Sequence, residues 1–161
     1  MYFSLLKAPI KWREPMSSLS NTKLIHLSAN IATFLFVVVI VLQILLAVGI
    51  LPISMAWGGR QSQLTTSLRI ASIIAAVLLG VFIYVIRYRA GLVGNVPIPV
   101  IIKVASWIIT TFMAFNTLGN ITSLSINEKL LFGPITFILT VACLLVSASK
   151  SNPIRLIHVV Q

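Results

Sequence analysis

The chain of 161 residues carries 12 Lys and Arg against 2 Asp and Glu, so charged residues make up only 9% of it while hydrophobic residues reach 58%. An ordinary soluble domain is about 25% charged, and a mean hydropathy of +1.07 is more apolar surface than a soluble fold of this size can cover. These figures exclude a soluble enzyme, a disordered tail and a disulfide scaffold, and they predict an all-α integral membrane protein.

Residues 1–23 are mixed and basic, with Lys7, Lys11, Arg13 and Lys23 against Glu14 alone. Pro9 and Pro15 break any long helix there, and Phe3, Leu5, Leu6 and Trp12 suit a short segment lying on a membrane surface. The apolar core of a signal peptide is about 7–15 residues long and close to the terminus. The run that begins near Leu24 is far longer and reads as an uncleaved first span.

No Lys, Arg, Asp or Glu occurs from Leu24 through Gly59. About 20 apolar residues cross a membrane, so the first span is expected over 24–51, ending before Pro52. The second is expected over 67–87. The third follows Pro97 and Pro99 over 99–119, with Lys103 near its start, and the fourth covers 129–149 and stops at Lys150. The stretch FLFVVVIVLQILLAVGI is apolar around its whole helical circumference, whereas a surface helix shows one apolar stripe. Alternating segments of about ten residues, the mark of a transmembrane β-barrel, do not occur. Short connections predict a four-helix up-and-down bundle over residues 24–150, followed by a cytoplasmic tail over 151–161.

Nine cations fall on one side of these spans (Lys7, Lys11, Arg13, Lys23, Arg87, Arg89, Lys103, Lys150, Arg155) and three on the other (Arg60, Arg69, Lys129). The positive-inside rule then places both termini in the cytoplasm. A net charge of +10 points in a soluble chain to nucleic acid. Here the cations stand at the ends of apolar runs and form no stripe, so the expected partners are membrane lipids with anionic headgroups, not nucleic acid.

Chemistry-bearing residues are few. Cys143 is the single cysteine, which rules out an intramolecular disulfide. The only histidines, His26 and His158, have no Cys, Asp or Glu at metal-ligand spacing. No catalytic or phosphate-binding motif occurs. Glu14 and Glu128 are the only carboxylates, and Glu14 lies outside the bundle, so paired-carboxylate catalysis is excluded. The expectation is a non-enzymatic chain with no cofactor and no metal. No charge lies in mid-span, which argues against a proton-coupled pump. The polar groups inside the spans are amides and hydroxyls: Asn30, Thr33, Gln43, Ser72, Ser106, Thr110, Thr111, Asn116, Thr136 and Thr140. They are expected to bond across helices. Gln43 stands apart, deep in an otherwise apolar helix.

The outward side carries the candidate site. Gly58-Gly59 permits a tight turn, and Trp57 suits a headgroup layer. Arg69 lies one turn into the second span, and Glu128 stands at the start of the fourth, where a carboxylate complements a helix N-terminus. Arg69 is the expected ion-pair partner of Glu128. Asn116 and Asn120 are four apart and share a helix face. Trp57, Arg69, Asn116, Asn120 and Glu128 together are expected to form either a structural clasp between two hairpins or a ligand pocket open to the outside.

In these segments the chain resembles a set of small, uncharacterised bacterial four-helix inner-membrane proteins. The resemblance is carried by Ala56-Trp57-Gly58-Gly59, by Leu68-Arg69 with Ser72, by Gly119-Asn120 with Ser123, and by Glu128-Lys129 with Gly133-Pro134. It implies a multi-pass protein of the bacterial cytoplasmic membrane and implies no activity. The reading is therefore a non-enzymatic membrane protein with an outward polar clasp or a lipid or small-ligand pocket. The alternative is a small transporter or channel subunit, which needs a homo-oligomer or a partner membrane protein to enclose a path.

Overall fold

The chain forms four helices, α1 (Met16–Val48), α2 (Thr66–Arg89), α3 (Val100–Thr122) and α4 (Ile126–Ser147), in a computed structural model that describes residues 16–52, 54, 63–95 and 97–149. Each is long and apolar enough to cross a membrane. The shortest has 22 residues, about 33 Å at 1.5 Å per residue, against a hydrocarbon core of about 30 Å. The four-helix up-and-down bundle expected from the sequence is the observed fold. We call the end that carries the α1–α2 and α3–α4 connections the hairpin end, and the opposite end the terminal end.

The helix boundaries have local causes. α1 starts earlier than the first apolar run and stops at Val48, short of the expected Leu51, because Gly49 turns to φ +86°. The Ile50 amide then donates back to the Leu45 carbonyl at 3.0 Å, the closure that a left-handed glycine gives a helix C-terminus. Gly91, at φ +72°, ends α2 in the same way, with Leu92 N–H reaching the Arg87 carbonyl at 2.9 Å. Thr65 caps α2 by accepting from the Leu68 amide at 3.3 Å. Pro99, with its fixed φ of −59°, sets the start of α3. Pro134 falls inside α4 and faces outward, so the missing N–H opens no gap in the core.

Packing follows the hairpins. α1 lies against α2 and α3 against α4 along most of their lengths; the hairpins join mainly through α1 and α4, and α2 meets α3 more sparsely. Phe36, Ile86, Met113, Leu139 and Val146 fill the core beside Ala29, Ala32, Ala142 and Cys143. Small residues of this kind let helix backbones approach where lipid offers no hydrophobic drive to associate. Large apolar side chains such as Phe34, Val77, Val100 and Phe115 point outward, the arrangement suited to a hydrocarbon surround.

The expected polar glue is present and concentrated between α3 and α4. The Thr110 and Ser147 hydroxyls meet at 3.0 Å, and Ser147 also donates to the Ser106 carbonyl at 3.0 Å. The Thr117 and Thr140 hydroxyls meet at 3.0 Å. Asn120 Nδ2 donates to Thr136 Oγ1 at 3.2 Å. At the terminal end the buried Arg89 donates to the Ser147 carbonyl at 3.0 Å and to the Ser149 carbonyl. A cation there meets the negative end of the α4 dipole.

Candidate functional site

A half-open cavity of about 400 Å³ lies between all four helices. Its lining repeats at helical spacing. Phe112, Asn116 and Asn120 come from one face of α3; Glu128, Phe132 and Thr136 come from one face of α4. Residues four apart lie one above the other on a helix, so each face delivers its residues as a column running inward from the hairpin end. α2 adds Leu78, Leu79 and Phe82, and α1 adds Val39 and Gln43.

The two ends of this cavity differ chemically. At the hairpin end stand Glu128, Asn120 and Asn116, with Gln43 about 8 Å further along its helix from the α1 terminus. Towards the terminal end the lining turns aromatic. Phe82 and Phe112 meet edge to face with centroids 5.7 Å apart, and the fully buried Phe36 meets Phe82 in the same way at 6.1 Å.

Glu128 is buried, with 6% of its surface exposed. A carboxylate taken out of water requires hydrogen bonds, and the local sequence supplies one of them through Ser123. Ser125, Ile126, Asn127 and Glu128 form the S-x-x-E pattern of a capping box. Ser125 Oγ accepts from the Glu128 amide at 3.3 Å. The carboxylate reaches back to Ser123, whose hydroxyl donates to Oε2 at 2.5 Å while accepting from the Ser125 amide at 3.1 Å. Ser123 is thus inserted as a relay between the two halves of the box, and the carboxylate is held in the first turn of α4 beside the cavity.

Arg69 is elsewhere. Its Nη1 donates to the Ala47 carbonyl at 2.9 Å, and it does not line the cavity. The expected Arg69–Glu128 ion pair does not form. The cause is the early end of α1: Gly49 leaves last-turn carbonyls without helical partners directly beside the first turn of α2. Arg69 therefore stitches α1 to α2 instead of reaching across the bundle. Asn116 and Asn120 lie on the cavity as their spacing predicts, but they divide the work. Asn120 is buried and bonded to Thr136, whereas Asn116 is the more open of the two. Trp57, with the Ala56–Gly59 turn, lies outside the described residues, as do residues 1–15 and the tail with His158.

Three site residues expected from the sequence therefore meet at one cavity: Asn116, Asn120 and Glu128. The aromatic floor was not anticipated. The i, i+4, i+8 spacing of Phe112 with the two asparagines, and of Phe132 with Glu128 and Thr136, was the available signal. Gln43, singled out by its apolar surroundings, lines the cavity, and its Oε1 is buried without a hydrogen-bond partner. Ser72 Oγ is likewise buried and unpartnered. Among the described residues no Lys or Arg lines the cavity, and no group of three His, Cys, Asp or Glu side chains is placed to hold a metal ion. Comparison with protein families, curated proteins and solved structures returns no match for this chain.

Proposed function

We propose that this chain is a non-enzymatic multi-pass protein of a bacterial cytoplasmic membrane, with both termini in the cytoplasm, that binds a small amphipathic molecule or lipid between its helices. The observation that carries the reading is the cavity itself. Its size falls in the range of about 300–1,000 Å³ usual for small-molecule sites, and it has a polar rim over an apolar floor. A clasp alone accounts for the Asn120–Thr136 and Ser123–Glu128 bonds. It leaves the empty volume, and the buried Gln43 oxygen beside it, without a purpose.

The proposed orientation rests on the cations at the helix ends. Lys23, Arg87, Arg89 and Lys103 belong to the terminal end, and Arg69 and Lys129 to the hairpin end. The polar end of the cavity lining, with Glu128, Asn120 and Asn116, then lies on the side away from the cytoplasm. The transporter alternative calls for a path that continues to the terminal end, past the packed Phe36, Phe82 and Phe112 in the middle of the bundle.

Native mass spectrometry of the full chain released from mild detergent tests the binding reading. The expected result is a defined added mass on the unaltered protein that Asn116→Phe, which fills the cavity, removes. A bare chain mass for both proteins overturns it.

A further inference from the structure

We infer that this cavity opens sideways, through a mouth between α2 and α3, and takes in one acyl chain of an ester-linked bilayer lipid, with the lipid's ester group at Asn116. This rests on the ligand-pocket reading and specifies both the ligand and its route.

The exposure of the lining residues places the mouth. Among the described residues, the lining positions with open surface stand on two helices: Leu78 on α2, and Phe112, Asn116 and Gly119 on α3. Leu78 and Phe112 are about half exposed, whereas Val39 from α1 and Phe132 from α4 are buried. The open side of the cavity is thus the α2–α3 side, where two neighbouring helices meet sparsely. Along α3 the mouth runs from about 5 Å to about 15 Å from the Thr122 end. A helix of 23 residues is about 34 Å long, against a hydrocarbon core of about 30 Å. At that depth the mouth faces acyl chains and not water.

Gly119 keeps the mouth clear. Glycine inside a helix is unfavourable relative to alanine, and a Cβ at this position would meet nothing within 4 Å. Its φ is not positive either, so neither a close helix approach nor a left-handed backbone calls for glycine here. The missing side chain leaves a gap beside the cavity.

Asn116 lies one turn further in on the same face. Its side chain is exposed and makes no hydrogen bond among the described residues, and an amide at hydrocarbon depth needs a partner. Its Nδ2 is a donor, and the acceptor that arrives with an acyl chain is the ester carbonyl joining that chain to glycerol. Beyond the ester, the chain meets Leu78, Phe82 and Phe112 and reaches Val39 and Phe132 behind them. The described lining offers a phosphate no Lys or Arg, so the head group stays outside the mouth, towards the hairpin end.

The full chain is placed in phosphatidylcholine nanodiscs that contain a trace of phosphatidylcholine with a mid-chain diazirine, irradiated, and mapped by peptide mass spectrometry. Labels are expected on the inward Val39 and Phe132 as well as on the outward Val77 and Phe115, which report ordinary lipid contact. Gly119→Leu, which fills the mouth, is expected to lower the inward labels at least about tenfold and to leave the outward ones unchanged. Its melting temperature is expected to be equal or higher, because leucine is the better helix former. Leu78→Trp narrows the same mouth from α2 and is expected to act alike. In nanodiscs of ether-linked phosphatidylcholine, a weaker competitor, the inward labels are expected to rise about three- to tenfold, the worth of one hydrogen bond. Asn116→Leu is expected to erase that difference.

Inward labels absent from the unaltered protein overturn the lipid and its route. The pocket reading then stands if the native chain still carries an added mass, and falls if the chain is bare. Inward labels that survive both Gly119→Leu and Leu78→Trp overturn the α2–α3 mouth, and equal labels in ester and ether nanodiscs overturn the role of Asn116. Loss of the Leu78 label along with the inward ones, in a chain that is a native dimer, overturns the lipid and assigns the gap to a second copy.

Discussion

The Asn120–Thr136 hydrogen bond is the point at which the cavity rim and the α3–α4 seam share the same atoms. Asn120 is 7% exposed and Thr136 2%, and the bond length is 3.2 Å. Thr136→Val keeps the side-chain shape and removes the acceptor. It also removes the Thr136 hydroxyl's bond to the Phe132 carbonyl at 2.7 Å, but that carbonyl keeps its α-helical amide partner, so little is lost there. The cost is therefore the interhelical term, about 0.6–1.7 kcal/mol for such pairs inside a membrane protein. An unmatched Asn120 amide adds to it. We expect Thr136→Val to destabilise by about 1 kcal/mol and Asn120→Leu by a similar amount. The double variant is expected to lose little more than either single one, giving a coupling of about 0.6–1.7 kcal/mol. Unfolding of the purified chain in mixed micelles, followed by circular dichroism against denaturing detergent, measures all four proteins. Additive losses, with a coupling under about 0.3 kcal/mol, would refute the assignment of this bond as interhelical glue.

Three further outcomes follow from other parts of the molecule. Arg69→Gln removes the bond to Ala47 and should destabilise the α1–α2 hairpin by no more than about 1.5 kcal/mol. It should leave any retained ligand in place, because Arg69 does not line the cavity; loss of a native adduct at full stability would contradict this. Gly94→Ala places a Cβ 2.1 Å from the Tyr88 ring at φ +78°, so the ring must leave Asn95, whose carbonyl accepts from its hydroxyl at 3.2 Å. A lowered melting temperature and faster proteolysis at the α2–α3 connection are expected, and unchanged values would show that Tyr88 does not hold this turn. A cytoplasmic reporter fused after residue 161 should be active and a periplasmic one silent; the reverse pattern would invert the proposed orientation.

The sequence alone determined the number of helices and their order. Twenty or so apolar residues without charge cannot remain in water, and the backbone of a lipid-exposed segment must bond within itself as a helix. Composition and spacing thus sufficed for the four spans, for Glu128 at the head of α4 and for the shared face of Asn116 and Asn120. The ends were less legible, because the turn at Gly49 depends on a left-handed backbone and not on where hydropathy falls; α1 stops at Val48, short of the expected Leu51, for that reason.

What tertiary structure decided is which polar groups meet. Arg69 and Glu128 are both near the hairpin end and opposite in charge, so a sequence reading pairs them. The fold instead puts an unbonded helix-end carbonyl beside Arg69 and a serine relay beside Glu128. The aromatic floor under the asparagines, and the unmatched oxygen of Gln43 above it, likewise exist only because four helix faces converge. Periodicity fixes the face on which a residue lies, but the partner of that face depends on the packing of helices distant in sequence.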